Sequence, residues 1–382
     1  PPPALLPYRL PLGAPLPLAR GAPLTERAGC LLLLSGTGAT GEAVHGISEL
    51  CPLPGFHAEG YDAACDQLRR VALAMRGRRV PFELARLGGR MRSWLGEAPS
   101  GLEAGEALLP SVRCAVEFAL LHLLARANAV AGGGGLAAML AAALGRPLQS
   151  HVRFNGLLAR GEACGGDAGG AARMRTWKLK VGGGEAAEEG ARVASLLRDC
   201  AAQGQRLRLD ANQEWGVAQV AAFCDAAASA AGSAIGSLDY CEEPVHAAEL
   251  GALPLLHRAH GLSHALDESV GPAAAEILGG GGDDGVELRA LRARLRAPSC
   301  AALVIKPTLL GGAEVCATLA AEAAAAGVDV VLTSAFESGV AHAHIAALAA
   351  VLGGPSVAQV RAEICPRWPP RSSRARSSRP PP

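Results

Sequence analysis

Six charged residues fall where they could act on one substrate. Lys178 and Lys180 are two apart in the run TWKLKVG, so on a strand both side chains point to one face. If that face lines a closed barrel, two ammonium groups share a small dry space. Desolvation and mutual repulsion then favour release of a proton, the behaviour of a general base. Asp210, Glu242 and Asp267 end the successive runs RLRLDAN, SLDYCEEP and SHALDES. Three carboxylates converging from neighbouring strands repel one another unless a cation lies among them. Hard oxygen donors on a rigid frame, with places left for water and substrate, suit Mg²⁺, with Mn²⁺ as second choice. Lys306 ends a further run, ALVIKPT, which in a closed barrel lies across the mouth from the first lysines. Such a set suits removal of a proton beside a carboxylate. Each residue also has a plainer reading: K-x-K is common on surface strands, and an acid at a strand end can be a loop carboxylate or a helix N-cap.

The elements that must position these residues are strand-then-helix units. Seven short runs recur, at 151–158, 176–182, 206–212, 237–244, 263–269, 302–308 and 329–338. Ala-rich stretches with helical spacing separate several of them, at 185–203, 217–231 and 312–326. Seven βα units in series predict a parallel α/β barrel, with an open doubly wound sheet as the alternative. The region before them, to about residue 145, mixes strand-like runs with amphipathic stretches at 62–74 and 113–127 and reads as α+β. Residues 1–17, rich in proline, predict a loop or an edge strand. The glycine-then-arginine stretch 279–298 reads as a solvated insertion. The expected division is thus an α+β domain over 1–145, a barrel over 146–355 and a disordered basic tail over 356–382.

Composition narrows the function classes. Thirty-six basic and 35 acidic side chains give a net charge of +1, which provides no electrostatic footprint for nucleic acid or an anionic membrane. The longest apolar tract, 115–144, contains Glu117, Arg126 and four consecutive glycines, so it is no membrane span. Eleven cysteines without any C-x-x-C argue against a disulfide framework or a zinc cluster and for buried thiols in a reducing compartment. The missing initiator Met reads as a processed chain or a piece of a longer one.

The order K-x-K, D-x-N, E-E-P, D-E-S and V-I-K-P resembles the enolase superfamily, in its muconate-lactonizing and o-succinylbenzoate synthase branch. ELCPLPGF at 49–56 resembles the E-x-x-P-L-P-G-F segment of the synthase capping domain, and SVRCAVEFAL at 111–120 a cap helix. The resemblance covers about residues 8–355. It implies a (β/α)7β-type barrel under an N-terminal cap, with a barrel end that looks divergent or truncated, because SVAQVRAEICPRWPP stands where the final strand is expected. It further implies Lys180 as catalytic base, Lys178 as a partner tuning it and holding the substrate carboxylate, and Lys306 as the opposing lysine. Asp210, Glu242 and Asp267 are the implied Mg²⁺ ligands. Asn212, Glu243 and Glu268 would support these ligands. Ser334, Glu337 and Ser338 would lie near the substrate's succinyl carboxylate, and Phe56 in a loop closing over it.

The implied reaction is dehydration of 2-succinyl-6-hydroxy-2,4-cyclohexadiene-1-carboxylate to o-succinylbenzoate, in menaquinone or phylloquinone biosynthesis. The implied partner is a small-molecule carboxylate, with other enzymes of that pathway fused or associated. Location would be the plastid for an algal or plant chain and otherwise the cytoplasm. Two other readings stay open: an N-acylamino-acid racemase or dipeptide epimerase with the same lysines and acids, and a non-catalytic scaffold built on an incomplete barrel.

Overall fold

The computed structural model describes residues 2–16, 22–97, 100–103, 105–158, 174–281 and 285–353, and the backbone of 358–361. Strands β1 (Ala4–Leu16), β2 (Leu24–Thr37) and β3 (Ala43–Leu50) form an antiparallel sheet in that order. The proline-rich opening is therefore the edge strand, pairing Ala4 with Leu33 through to Leu16 with Leu24. On β2, Cys30, Leu32 and Leu34 alternate inward toward helices α1 (Tyr61–Ala74) and α3 (Pro110–Val130). Helix α3 starts with Pro at its first position and is buried over most of its length, because cap sheet and barrel cover opposite sides of it. It lies so close to β3 that a Cβ on Gly46 would sit 2.2 Å from the Ala119 carbonyl oxygen. Helices α2 (Arg90–Gly96) and α4 (Leu136–Leu144) complete this region.

Below it lies a parallel sheet of eight strands. These are β4 (Arg153–Leu158), β5 (Thr176–Lys180), β6 (Arg206–Asp210), β7 (Leu238–Glu242), β8 (His264–Leu266), β9 (Cys300–Ile305), β10 (Asp329–Leu332) and β11 (Ala358–Arg361). All seven expected strands are present, and neighbours in sequence pair in parallel from β4 to β10. Helices α5 (Ala186–Ala202), α6 (Val217–Ala231), α7 (Leu253–His260), α8 (Gly271–Leu278), α11 (Ala313–Ala325) and α12 (Gly339–Leu352) alternate with the strands. Side-chain parity is consistent along the strands: Trp177, Leu179, Leu207, Leu209 and Cys241 face the helices. Tyr240, Ala265, Ala302, Val304 and Val331 fill the interior.

Two expectations need correction. The barrel end is not simply missing: β11 pairs in parallel with β4, Ala358 opposite Arg153, and its Cα atoms come within 8 Å of β10. An eighth strand thus stands between the two edges, inside the stretch expected to be a disordered tail. The remainder of that tail, 362–382, lies outside the described residues. Nor is 279–298 a solvated insertion. It holds helix α9 (Val286–Leu295), which buries Leu288, Leu291 and Leu295 at helical spacing, while Arg292 on the outer side pairs with Glu322 at 2.6 Å.

Candidate active site

Register brings the acids together. Lys180 is paired with Asp210 and Asp210 with Glu242, so three successive strands end at one height. Glu242 is paired with Ala265, and Asp267 follows two residues later, just past the end of β8. Parity turns Lys178, Lys180, Asp210 and Glu242 to the barrel interior. Lys178, Asp210, Glu242 and Asp267 are all buried. The Lys178 ammonium is 2.8 Å from Asp210 Oδ2 and also donates to Glu242 Oε2. Lys306 follows β9 and starts the short helix α10 (Pro307–Leu310), and it donates to Asp267 Oδ2.

The electrostatics follow from these contacts. Burial pushes the Glu242 carboxyl above its ordinary range, opposed by the Lys178 charge. Burial alone would lower Lys306, but the Asp267 and Glu268 carboxylates hold it above its ordinary value. The two inward lysines of β5 do not share one dry space. Lys178 is clamped between carboxylates, whereas Lys180 is exposed one layer higher, at the mouth, and has no hydrogen-bond or ion-pair partner among the described residues. Mutual repulsion is therefore not what distinguishes them; position is.

Among the described residues, no three His, Cys, Asp or Glu side chains stand close enough to hold an ion as they are. The ammonium groups of Lys178 and Lys306 occupy the space between the acids and supply the positive charge. Three buried carboxylates from consecutive strands nonetheless form the hard-oxygen donor set that a divalent cation takes.

The supporting residues separate into two groups. Asn212 donates from its backbone N to Asp210 Oδ1 at 3.1 Å and from Nδ2 to Glu268 Oε1 at 2.9 Å. Glu243 Oε1 accepts from the backbone N of Asp267 at 2.7 Å and of Ser269 at 2.9 Å, and from Ser269 Oγ at 2.6 Å. Its Oε2 accepts from Gln213 Nε2 at 3.0 Å. Asn212, Gln213, Glu243 and Phe336 adopt left-handed backbone, at φ 44, 62, 40 and 62°. Four such non-glycine residues in the loops at one end of the barrel store roughly 1–2 kcal/mol each, strain held by this hydrogen bonding.

Ser334, Glu337 and Ser338 lie in the loop after β10, and two of them are committed elsewhere. Glu337 is buried, accepting from Thr308 Oγ1 at 2.5 Å and from the Ala335 backbone N at 2.6 Å. Ser338 caps α12, accepting from the Val340 backbone N at 3.3 Å, and donates to Glu49. Ser334 is buried, and its Oγ has no hydrogen-bond partner among the described residues.

A cleft of about 280 Å³ opens between the loop that follows β3 and the barrel mouth. Phe56, His57 and Glu59 line it from above, and Asp267, Glu268 and Lys306 from below. Phe56 is 41% exposed, so it stands at the cleft as a wall and not as packed core. Three contributors went unnoticed in the sequence. His57 accepts from the Leu53 backbone N through Nδ1 at 2.9 Å, and its buried Nε2 forms no hydrogen bond of good geometry among the described residues. Burial lowers its pKa, with Glu59 opposing, which favours the neutral ring. Arg27 reaches from β2 to the carbonyl oxygens of Cys51 at 2.7 Å, Pro52 at 3.2 Å and Phe336 at 3.0 Å. Glu49 accepts from the backbone N of Ser338 at 2.7 Å and of Ala341 at 3.1 Å. The only sequence signal for these was place: Glu49 opens the ELCPLPGF run and His57 follows it.

A curled parallel sheet of eight strands under an α+β cap, with acids ending three consecutive strands between two lysine positions, fits the barrel architecture of the enolase superfamily. The enolase C-terminal domain-like family model matches residues 166–278, and the chain carries that domain. The curated relatives it resembles include o-succinylbenzoate synthases. That of Aliivibrio salmonicida (strain LFI1238) is 28% identical over 343 residues, covering 90% of this chain and 84% of the relative. The chloroplastic protein PHYLLO of Arabidopsis thaliana is 28% identical over 315 residues, 77% of this chain but 16% of that protein. Two solved structures share the fold. The L-Ala-D/L-Glu epimerase of Bacillus subtilis, in a substrate-liganded complex, has a TM-score of 0.66 at 20% identity, covering 94% of this chain and 88% of the other. The o-succinylbenzoate synthase of Thermosynechococcus elongatus BP-1, with Mg in its active site, has a TM-score of 0.57 at 23% identity, covering 92% and 89%.

Proposed function

We propose that the protein is a Mg²⁺-dependent o-succinylbenzoate synthase, a lyase that removes water from 2-succinyl-6-hydroxy-2,4-cyclohexadiene-1-carboxylate. The observation that carries this reading is the gathering of Asp210, Glu242, Asp267, Lys178 and Lys306 beneath a cleft roofed by the loop that contains PLPGF. Asp210, Glu242 and Asp267 would hold the cation, which when bound supplies Lewis acidity and makes the proton next to the substrate carboxylate easier to remove. Lys180, at the mouth and without a protein partner among the described residues, is the base that takes this proton. Lys306 answers the negative charge that develops on the substrate, and Lys178 balances the acids below. Loss of the 6-hydroxyl with a proton returned by Lys180 completes the dehydration, and aromatisation drives it. Phe56, with the loop that bears it, keeps water from the ring.

Epimerases share these motifs, and curated relatives named as synthases along most of the chain favour the synthase. The scaffold reading rested on a missing eighth strand, and β11 removes that ground. The similarity to PHYLLO supports a setting in phylloquinone synthesis, in a plastid, as one part of a multifunctional protein.

The test offers the purified protein the cyclohexadiene substrate and N-succinyl amino acids, each with Mg²⁺. Dehydration is expected, and Lys180→Ala should lower its kcat by about 10²–10⁴-fold, the range of a lost general base. Racemisation of the amino acids without dehydration overturns the assignment.

A further inference from the structure

Arg27 is only 3% exposed, yet among the described residues none of its hydrogen bonds goes to a carboxylate. It donates instead to four main-chain carbonyl oxygens on two separate loops. On the cap side, Nη2 reaches Cys51 at 2.7 Å and Nη1 reaches Pro52 at 3.2 Å. On the barrel side, Nε reaches Phe336 at 3.0 Å and Nη2 reaches Ala335 at 3.5 Å. Register explains this reach. Cys30 of β2 is opposite Leu50, the last residue of β3, so Arg27, three residues earlier on β2, stands beside the start of the loop that follows β3. That loop carries Phe56, His57 and Glu59 of the cleft. On the barrel side, Glu337 accepts from the Ala335 backbone N and from Thr308 Oγ1, which ties the loop after β10 to the turn that bears Lys306.

A buried guanidinium without a carboxylate beside it is costly to keep. Carbonyl oxygens compensate it here only while both loops stay in place, so the charge itself favours the closed arrangement. The flat fork of N–H groups suits this task, whereas a lysine ammonium is a point donor on a flexible stem. We propose that Arg27 is a positioning residue for catalysis. It latches the roof loop of the cleft onto the barrel mouth and so sets how Phe56 and His57 stand over Asp267, Glu268 and Lys306. Arg27 does not line the cleft, so it acts through the two loops and not on the substrate. The inference rests on the cleft being the active site of the reaction proposed above. With the latch lost, the roof loop parts from the loop after β10, the substrate is held less firmly and water enters.

The test compares the full chain with Arg27→Lys and Arg27→Ala, each checked for folding by circular dichroism. Arg27→Lys keeps the charge and serves alone where the alanine variant does not fold. Amide exchange read by mass spectrometry should speed up about tenfold in both 51–60 and 333–338, and stay unchanged in the buried helix α3. With Mg²⁺ and the cyclohexadiene substrate, kcat/KM should fall about 10²-fold, kcat falling as well as KM rising, with the shape of the pH profile unchanged. Millimolar guanidinium should restore protection to both segments of Arg27→Ala by refilling the site the side chain leaves, and should do nothing for Arg27→Lys. Faster exchange confined to 51–60, faster exchange throughout the cap, or a lysine variant with the parent's exchange and kcat/KM overturns the proposal. If the parent chain itself does not dehydrate the substrate, the assigned reaction fails, while the exchange measurements still decide whether Arg27 latches the loop.

Discussion

At the residue scale, His57 has one nitrogen already committed. With Nδ1 accepting from the Leu53 backbone, the proton of the neutral ring is on Nε2, which is buried, beside the cleft and without a geometrically formed hydrogen bond among the described residues, the Thr308 backbone being its polar neighbour. A buried donor left without a partner is costly, so a substrate oxygen that accepts from it gains binding. His57→Ala should raise KM about fivefold, the worth of roughly 1 kcal/mol, with kcat changed little. Steady-state kinetics check this, and Gln at the same position should recover part of the loss through its amide. An unchanged KM in the alanine variant would reduce His57 to packing. The site acids and lysines were legible because spacing along strands converts directly to facing in a barrel. His57 was not, since one His beside a Phe has no spacing that announces a role. For Lys178 and Lys180, parity was legible but depth was not. Only the fold shows that the first sinks between Asp210 and Glu242 while the second meets solvent.

Between elements, a polar link joins cap to barrel at Glu49. Helix α12 begins at the loop after β10, and its first amides lack partners within the helix. A side chain from the cap supplies them: Glu49 accepts from Ser338 and Ala341, and its carboxylate complements the helix dipole. Tyr8 on the edge strand donates to the same carboxylate. Glu49→Ala leaves those donors buried and should cost about 2–3 kcal/mol; Glu49→Gln keeps the shape but not the charge and should cost about 1. Thermal or urea melts measure both, and equal stability of the alanine variant would show that the link contributes nothing. Helix α9 illustrates why elements can be misread. Leu288, Leu291 and Leu295 have helical spacing in the sequence, but the adjacent glycine run and the arginines suggested solvent on all sides. Those arginines lie on the outer face, so composition masked periodicity.

For the whole molecule, the decisive feature is closure. Seven strands of a parallel sheet leave β4 and β10 as edges, with unpaired backbone groups on each. The residues AQVR alternate apolar Ala and Val with polar Gln and Arg, but four residues with a single β-branched side chain are too short a run to mark a barrel strand on their own. What makes them a strand is the place left for them: β4 on one side offers its ladder, and β10 stands on the other. Tertiary context overrides local propensity here, and for that reason the barrel end was illegible while its first seven strands were not. Two shortened chains test this. One ends after Arg361 and keeps β11; the other ends after Gly353 and exposes the β4 edge. If β11 closes the barrel, the longer form should melt cooperatively, and the shorter should melt at least about 5 °C lower and self-associate through the open edge. Scanning calorimetry and sedimentation would show both effects. Identical melts of monomeric protein would mean that seven strands and their helices suffice, and that β11 only rests against an edge which is stable without it.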